Sequence, residues 1–189
     1  MTPPAAIIAV VLAASAPPAA RVTVDGERLR EHLQALSRFG ANPEGGVSRL
    51  GFSKEDQAAR GWLLERMREA GLDVWVDPAA NIHGRRPGSD ASLPVLLFGS
   101  HIDSVPHGGN FDGDVGTMAA LEVMLTLRDQ KAATRHPLEM VVWSNEEGVH
   151  YGKGLFGSRA AARGPDPGEL EEEDEQGVKL SEWLRRYGV

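Results

Sequence analysis

Pro94-Val-Leu-Leu-Phe-Gly99-Ser-His-Ile-Asp-Ser-Val-Pro-His-Gly-Gly-Asn-Phe-Asp-Gly113 holds both the fold signal and the chemistry of this chain. Its first part, Pro94–Gly99, is a continuous apolar run bounded by turn residues, the pattern of a strand buried on both faces. A helix is expected behind it, starting at Asp114 or Gly116 and running to Leu127, with Met118, Leu121, Met124 and Leu125 on one side. The next apolar run, Leu138–Trp143, reads as another strand. Strand, helix, strand in that order implies a right-handed crossover. The expected fold class is therefore α/β, with a mixed, largely parallel sheet flanked by helices.

The neighbouring segments extend that reading. Asp25–Leu36 repeats Leu29, Leu33 and Leu36 at helical spacing. Asn42–Leu50, with Pro43, Gly45 and Gly46, reads as an exposed loop. Ser53 caps a helix with Glu55 and Asp56 in its first turn and Gly71 as its stop. Leu72–Val76 alternates as a strand, and Asn81–Gly84 reads as a second short one. Beyond Leu138–Trp143, a helix is expected over Gly154–Ala162 and a short amphipathic one over Leu180–Tyr187. The acidic stretch between them, Pro165–Gln176, reads as solvated charge. It lacks the alternating oxygen ligands and central glycine of a calcium loop.

Composition narrows the function classes. At 189 residues the chain is long enough for one domain with a real core. A formal net charge of −7 argues against nucleic acid, whose phosphates call for a basic face. With no cysteine there is neither a disulfide framework nor a thiolate, so any metal must be held by His, Asp and Glu. The first 20 residues carry no charged side chain. Ala5–Ala16 has the length of a signal-peptide core, and Ala14-Ser15-Ala16 the small-x-small form of a cleavage site. Against that reading, no Lys or Arg precedes the run and Pro17 follows the cut. Residues 1–21 are read as a signal-peptide-like or disordered leader. The location is then periplasmic or secreted if the leader is cleaved, and cytoplasmic otherwise. The run is too short for a membrane span.

The chemistry lies where the apolar runs end. In an extended segment His101 and Asp103 point to the same side, which suits a ligand histidine oriented by a neighbouring acid. Gly108-Gly109 lets the chain turn back, returning Asp112 to the mouth of the following helix. There the positive helix end favours an anion, and two carboxylate oxygens can bridge two cations. After Leu138–Trp143 comes Asn145-Glu-Glu-Gly148. Adjacent residues of an extended chain project oppositely, so one of Glu146 and Glu147 can bind metal while the other moves a proton from activated water. Taken singly, a His-x-Asp, an Asp-Gly or a Glu-Glu pair is a weak signal. Together, each following a buried strand, they mark a metal centre at the carboxyl ends of an open sheet.

The run GSHIDSVPHGGNFDG, followed by NEEG and then Gly154-Leu-Phe-Gly-Ser-Arg159, resembles the di-metal amidohydrolases. That group contains N-carbamoyl-L-amino acid hydrolases, allantoate amidohydrolases and β-ureidopropionases, a branch of the aminoacylase and carboxypeptidase G superfamily. The resemblance covers the chain from Val24 onward. It implies a zinc-exopeptidase-like catalytic domain holding two divalent metal ions, zinc or manganese, cobalt or nickel. His101 and Glu147 are implied as ligands of separate metals, with Asp112 bridging them. It further implies Glu146 as general base and acid, and Asp103 as the partner of His101.

The chain also departs from that pattern. The group has two further histidine ligands, one in a His-Ile-Glu-Gln-Gly-like segment, and a lid domain that supports homodimers. Neither is found in this sequence. Of the other histidines, His32, His83 and His136 stand in a helix, a strand and a loop. His107 and His150 read as surface or pocket-lining residues. The expectation is that residues 22–189 form the N-terminal portion of a catalytic domain that is incomplete toward its C-terminus. Its function would be metal-dependent hydrolysis of a carbamoyl or ureido amino acid, weak or absent in this chain alone. The alternatives are a non-catalytic metal- or partner-binding remnant, or a dipeptidase or deacylase of the same superfamily.

Overall fold

A computed structural model describes residues 22–188. The leader read over residues 1–21 lies outside them. The chain runs through α1 (Gly26–Leu36), α2 (Lys54–Glu69), β1 (Asp73–Val76), β2 (Ile82–Arg86), β3 (Leu96–His101), α3 (Asp114–Asp129), β4 (Leu138–Trp143), α4 (Phe156–Arg163) and α5 (Leu180–Arg186), with a single 3-10 turn at Glu169–Glu171. Local chemistry sets the helix starts. The Asp25 carboxylate accepts the N–H groups of Glu27 and Arg28, and Ser53 Oγ accepts that of Asp56.

The four strands form one mixed sheet in the order β1-β2-β4-β3. β3 and β4 are parallel, in register from Leu96 opposite Leu138 to His101 opposite Trp143. β2 is antiparallel to both of its neighbours. The parallel share is thus one pairing, smaller than expected. For β1 and β2 the cause is the short 77–81 connection, which permits a hairpin but not a crossover.

The even-numbered side of the sheet faces the main apolar core. Ile82, Met140 and Val142 pack with Leu36, Leu63, Met67, Met118, Leu121 and Met124 from α1, α2 and α3. The expectation that the Pro94–Gly99 run is buried on both faces is corrected. β3 is an edge strand among the described residues, paired only with β4, and Leu96 and Leu97 are about half exposed.

A second apolar cluster, Phe52, Ala79, Ala80, Phe156, Leu180 and Leu184, joins α4 and α5 to the rest. The acidic stretch is not uniformly solvated. Glu169 is buried against the Arg159 guanidinium, and Asp174 is a buried acceptor for Trp183 Nε1. Among the described residues no helix is long and apolar enough to cross a membrane.

Candidate metal centre

β3 and β4 are parallel neighbours, so their carboxyl ends lie side by side and the polar segments leaving them meet. His101 is the last residue of β3. Its Nδ1 donates to the main-chain carbonyl oxygen of Asp103 at 3.0 Å, which leaves Nε2 as the nitrogen that faces the carboxylates. Nε2 lies 3.5 Å from Glu146 Oε2 and 3.9 Å from Asp112 Oδ1. His101, Glu146 and Glu147 each bring one ligand atom within 4.8 Å of the others. Asp112 reaches the same imidazole from the entrance of α3, with a largely exposed side chain.

Asp103 differs in detail from what the resemblance implies. Its carbonyl takes the imidazole N–H, while its carboxylate stands 3.6 Å from Nδ1. That carboxylate instead accepts the backbone N–H groups of Glu146 at 3.1 Å and Glu147 at 3.0 Å.

Two glycines make the arrangement possible. Gly113 sits at φ 64 before α3, and a Cβ there would fall 2.6 Å from three atoms of the His101 ring. Gly157 explains part of the Leu-Phe-Gly-Ser-Arg run. A Cβ on it would fall 2.0 Å from Asn81 Oδ1 and 2.5 Å from Ser144 N. With no side chain there, the N–H groups of Leu155, Phe156 and Gly157 reach the carbonyls of Glu146, Asn145 and Ser144. The segment bearing the two glutamates is thereby held from its own C-terminal side.

The charge balance favours a cation. Asp103, Asp112, Glu146 and Glu147 surround one imidazole. Burial disfavours the charged ring, but Asp103 and Glu146 outweigh it and raise His101 to about 9. Burial together with Glu146, Asp112 and Asp103 pushes the Glu147 carboxyl up, against the pull of His101. These groups want positive charge among them, and one imidazole nitrogen with carboxylate oxygens is a donor set suited to zinc or manganese. The residues fit a divalent metal.

The remaining histidines are engaged elsewhere. His83 stacks on Trp75 and binds Glu139 through Nδ1 at 2.8 Å and Asp77 through Nε2 at 3.3 Å. His136 Nδ1 lies 2.8 Å from the Pro94 carbonyl oxygen, and His32 meets Trp62 edge-on. His150 packs near Tyr151. His107 is exposed and lines a cavity of about 220 Å³ with Asn42, Pro43 and Glu44.

Sequence reading missed two supporting residues. Asn81 accepts the Ser144 N–H through Oδ1 at 3.0 Å and donates to Asp77 and the Gly157 carbonyl through Nδ2. Arg49 is fully buried and paired with Asp114. Neither stands in a periodic or motif-like context. The only available signal was a polar residue beside an apolar run.

Comparison with known proteins gives the relatives of this chain. A model of peptidase family M28 matches residues 81–176. The chain is 42% identical over 166 residues to an N-carbamoyl-L-amino acid amidohydrolase of Geobacillus stearothermophilus, covering 88% of this chain and 41% of that protein. It is 37% identical over 133 residues to the allantoate amidohydrolase of Escherichia coli K12, covering 70% of this chain and 32% of that enzyme. The crystal structure of a hydantoinase/carbamoylase family amidase from Burkholderia ambifaria superposes with a TM-score of 0.83 at 40% identity, over 88% of this chain and 41% of that one. The chain thus spans about two-fifths of the length of the Geobacillus and Burkholderia proteins and about a third of the Escherichia coli one.

Proposed function

The chain belongs to peptidase family M28, and from its converging site residues we propose that it serves metal-dependent hydrolysis of a linear C–N bond in an N-carbamoyl-L-amino acid or an allantoate-like ureido compound. The observation that carries this reading is the meeting of His101, Glu146 and Glu147 at the ends of β3 and β4. It occurs in a chain 42% identical to an N-carbamoyl-L-amino acid amidohydrolase. His101, Asp112 and Glu147 are assigned as the residues that would hold divalent ions, zinc or manganese, cobalt or nickel, with Asp112 as the ligand that two ions would share. Such ions, when bound, polarise the carbonyl and lower the pKa of water.

The protein's own groups do the rest. Glu146 takes a proton from the attacking water and delivers it to the leaving nitrogen, as a carboxylate in reach of both can. Asp103 holds the backbone of both glutamates, so that they enter the site at a fixed angle. His101 keeps Nε2 free for a ligand because Nδ1 is committed to a carbonyl. Residues 22–189 are read as part of the catalytic domain. Among the described residues only one imidazole joins the carboxylates, so weak metal binding and low turnover are expected of this chain.

The test measures metal content and hydrolysis together. Zinc- or manganese-loaded protein is offered N-carbamoyl-L-amino acids and allantoate, beside a Glu146→Gln variant. The variant is expected to keep its metal while any turnover falls about 10²–10⁴-fold. Failure to bind a divalent metal, or turnover indifferent to Glu146→Gln, would overturn the reading. The peptidase description of the matching family favours one second reading, cleavage of a dipeptide or N-acyl amino acid by the same residues. Including those substrates in the same assay separates the two. Metal binding without turnover of any of them would point to a non-catalytic metal-binding protein.

A further inference from the structure

Arg49 lies outside every motif that identifies the site, yet its side chain joins the segments that build it. The residue is fully buried. Nε donates to the Ile102 carbonyl at 2.6 Å. Nη1 donates to the carbonyls of Leu36 and Phe39 at 3.1 and 2.9 Å. Nη2 donates to both oxygens of Asp114 at 2.7 and 2.8 Å. All five guanidinium donors are thereby spent. The backbone takes part as well. The Arg49 N–H donates to Ser104 Oγ and its carbonyl accepts the Ser104 N–H, both at 2.9 Å.

The partners matter more than their number. Ile102 stands between His101 and Asp103. Asp114 opens α3 two residues after Asp112, and its N–H donates to the Asp112 carbonyl. One side chain therefore clasps both ends of the loop that carries His101, Asp103 and Asp112, a loop whose middle contains Gly108-Gly109. Without such a clasp the two glycines leave the separation of His101 and Asp112 poorly determined. Stability alone does not call for this pair, since apolar residues of similar volume often serve a buried site as well or better. Arg49 and Asp114 are both buried, so they act through the loop and not on a substrate.

We propose that Arg49 is a positioning residue of the metal centre, setting the spacing of His101 and Asp112 through its bidentate pair with Asp114. This rests on the metal-centre reading above and goes beyond it. The test uses the 189-residue chain and Co²⁺ alone, followed by visible absorption, which reports coordination geometry. Folding is followed by circular dichroism and thermal melting. In Arg49→Met with Asp114→Leu neither charge remains without a partner, and the double variant is expected to fold. Its Co²⁺ dissociation constant should rise at least about tenfold, the range found when supporting residues of metal ligands are lost, and its absorption bands should move.

A folded double variant with wild-type Co²⁺ affinity and spectrum would overturn the positioning role while leaving the metal centre intact. Wild-type protein that binds no Co²⁺ would overturn the metal centre and the positioning role with it. Should the double variant not fold, Arg49→Lys decides. It keeps a cation beside Asp114 but loses the fork that reaches Ile102 and α1. An altered Co²⁺ spectrum in that folded variant supports the proposal, and an unaltered one overturns it.

Discussion

The carboxylate of Asp103 accepts the backbone N–H of Glu147 at 3.0 Å, with that of Glu146 at 3.1 Å on its other oxygen. A residue just past the end of β3 thus fixes the main chain just past the end of β4. The same residue's carbonyl orients His101. Ligands from two separate strands therefore share one mechanical reference. This is why two parallel strands can present a site whose members are more than forty residues apart in sequence.

Replacing Asp103 by alanine tests that reference. It leaves two half-buried N–H groups without acceptors, at a cost of about 2 kcal/mol in folding free energy. Divalent-metal affinity should fall by about 10–100-fold, as when residues supporting metal ligands are removed. Calorimetric titration with zinc and chemical denaturation measure the two effects on one sample. Affinity unchanged beside a large stability loss would mean that the glutamates are held by α4 alone.

Gly113→Ala asks whether the imidazole tolerates any neighbour at the start of α3. The backbone there stands at φ 64, and the new Cβ would meet the ring at 2.6 Å. With ψ at −45 this is a strained positive-φ backbone outside the left-handed helical basin, costing alanine about 1–3 kcal/mol, and the ring must also move. The expected result is a stability loss of about 2 kcal/mol or more, with weakened zinc binding. Histidine resonances in NMR spectra should show His101 displaced.

Much of this framework was legible in the sequence. Leu138–Trp143 and the run ending in His101 announce strands by their apolar character, and the residues at their ends are those that converge. What could not be read was placement. β2 lies in the sheet interior although Ile82-His-Gly-Arg-Arg86 contains two arginines and a histidine, because His83 and Arg85 find Glu139 across the strand pair. Leu96 and Leu97 look like core residues but stand at a sheet edge. Arg49 and Asn81 matter through partners 65 and 63 residues away. Local periodicity carries no information about pairings at that range.

Asn81→Ala should show what such a distant pairing is worth. The Ser144 N–H and the Gly157 carbonyl would both lose a buried partner. A loss of about 2 kcal/mol is expected. Hydrogen exchange should quicken in residues 144–157 more than in β3, since Asn81 holds Ser144 and Gly157 and has no partner in β3. Uniform exchange across both regions would show that the segment is held by other contacts.

The last prediction concerns the acidity of a buried carboxyl on α2. Asp56 is buried at the start of α2, where it accepts the Phe52 N–H at 3.0 Å and the Tyr187 hydroxyl at 2.9 Å. Burial pushes its carboxyl up to about 6, although Arg60 opposes the shift. An unfolded aspartate titrates near 4, so the folded protein holds this proton more tightly than the unfolded chain does. The stabilisation from Asp56 is then complete below about pH 4 and is lost as pH rises through about 6, an effect of up to about 3 kcal/mol. Asp56→Asn keeps an oxygen for the Phe52 and Tyr187 donors and cannot ionise. Denaturant unfolding of the two proteins between about pH 5 and about pH 7.5 should show the asparagine variant gaining on the wild type by about 1.4 kcal/mol across that window. Parallel stability curves would mean that Asp56 stays ionised throughout, with Arg60 and the two donors outweighing its burial.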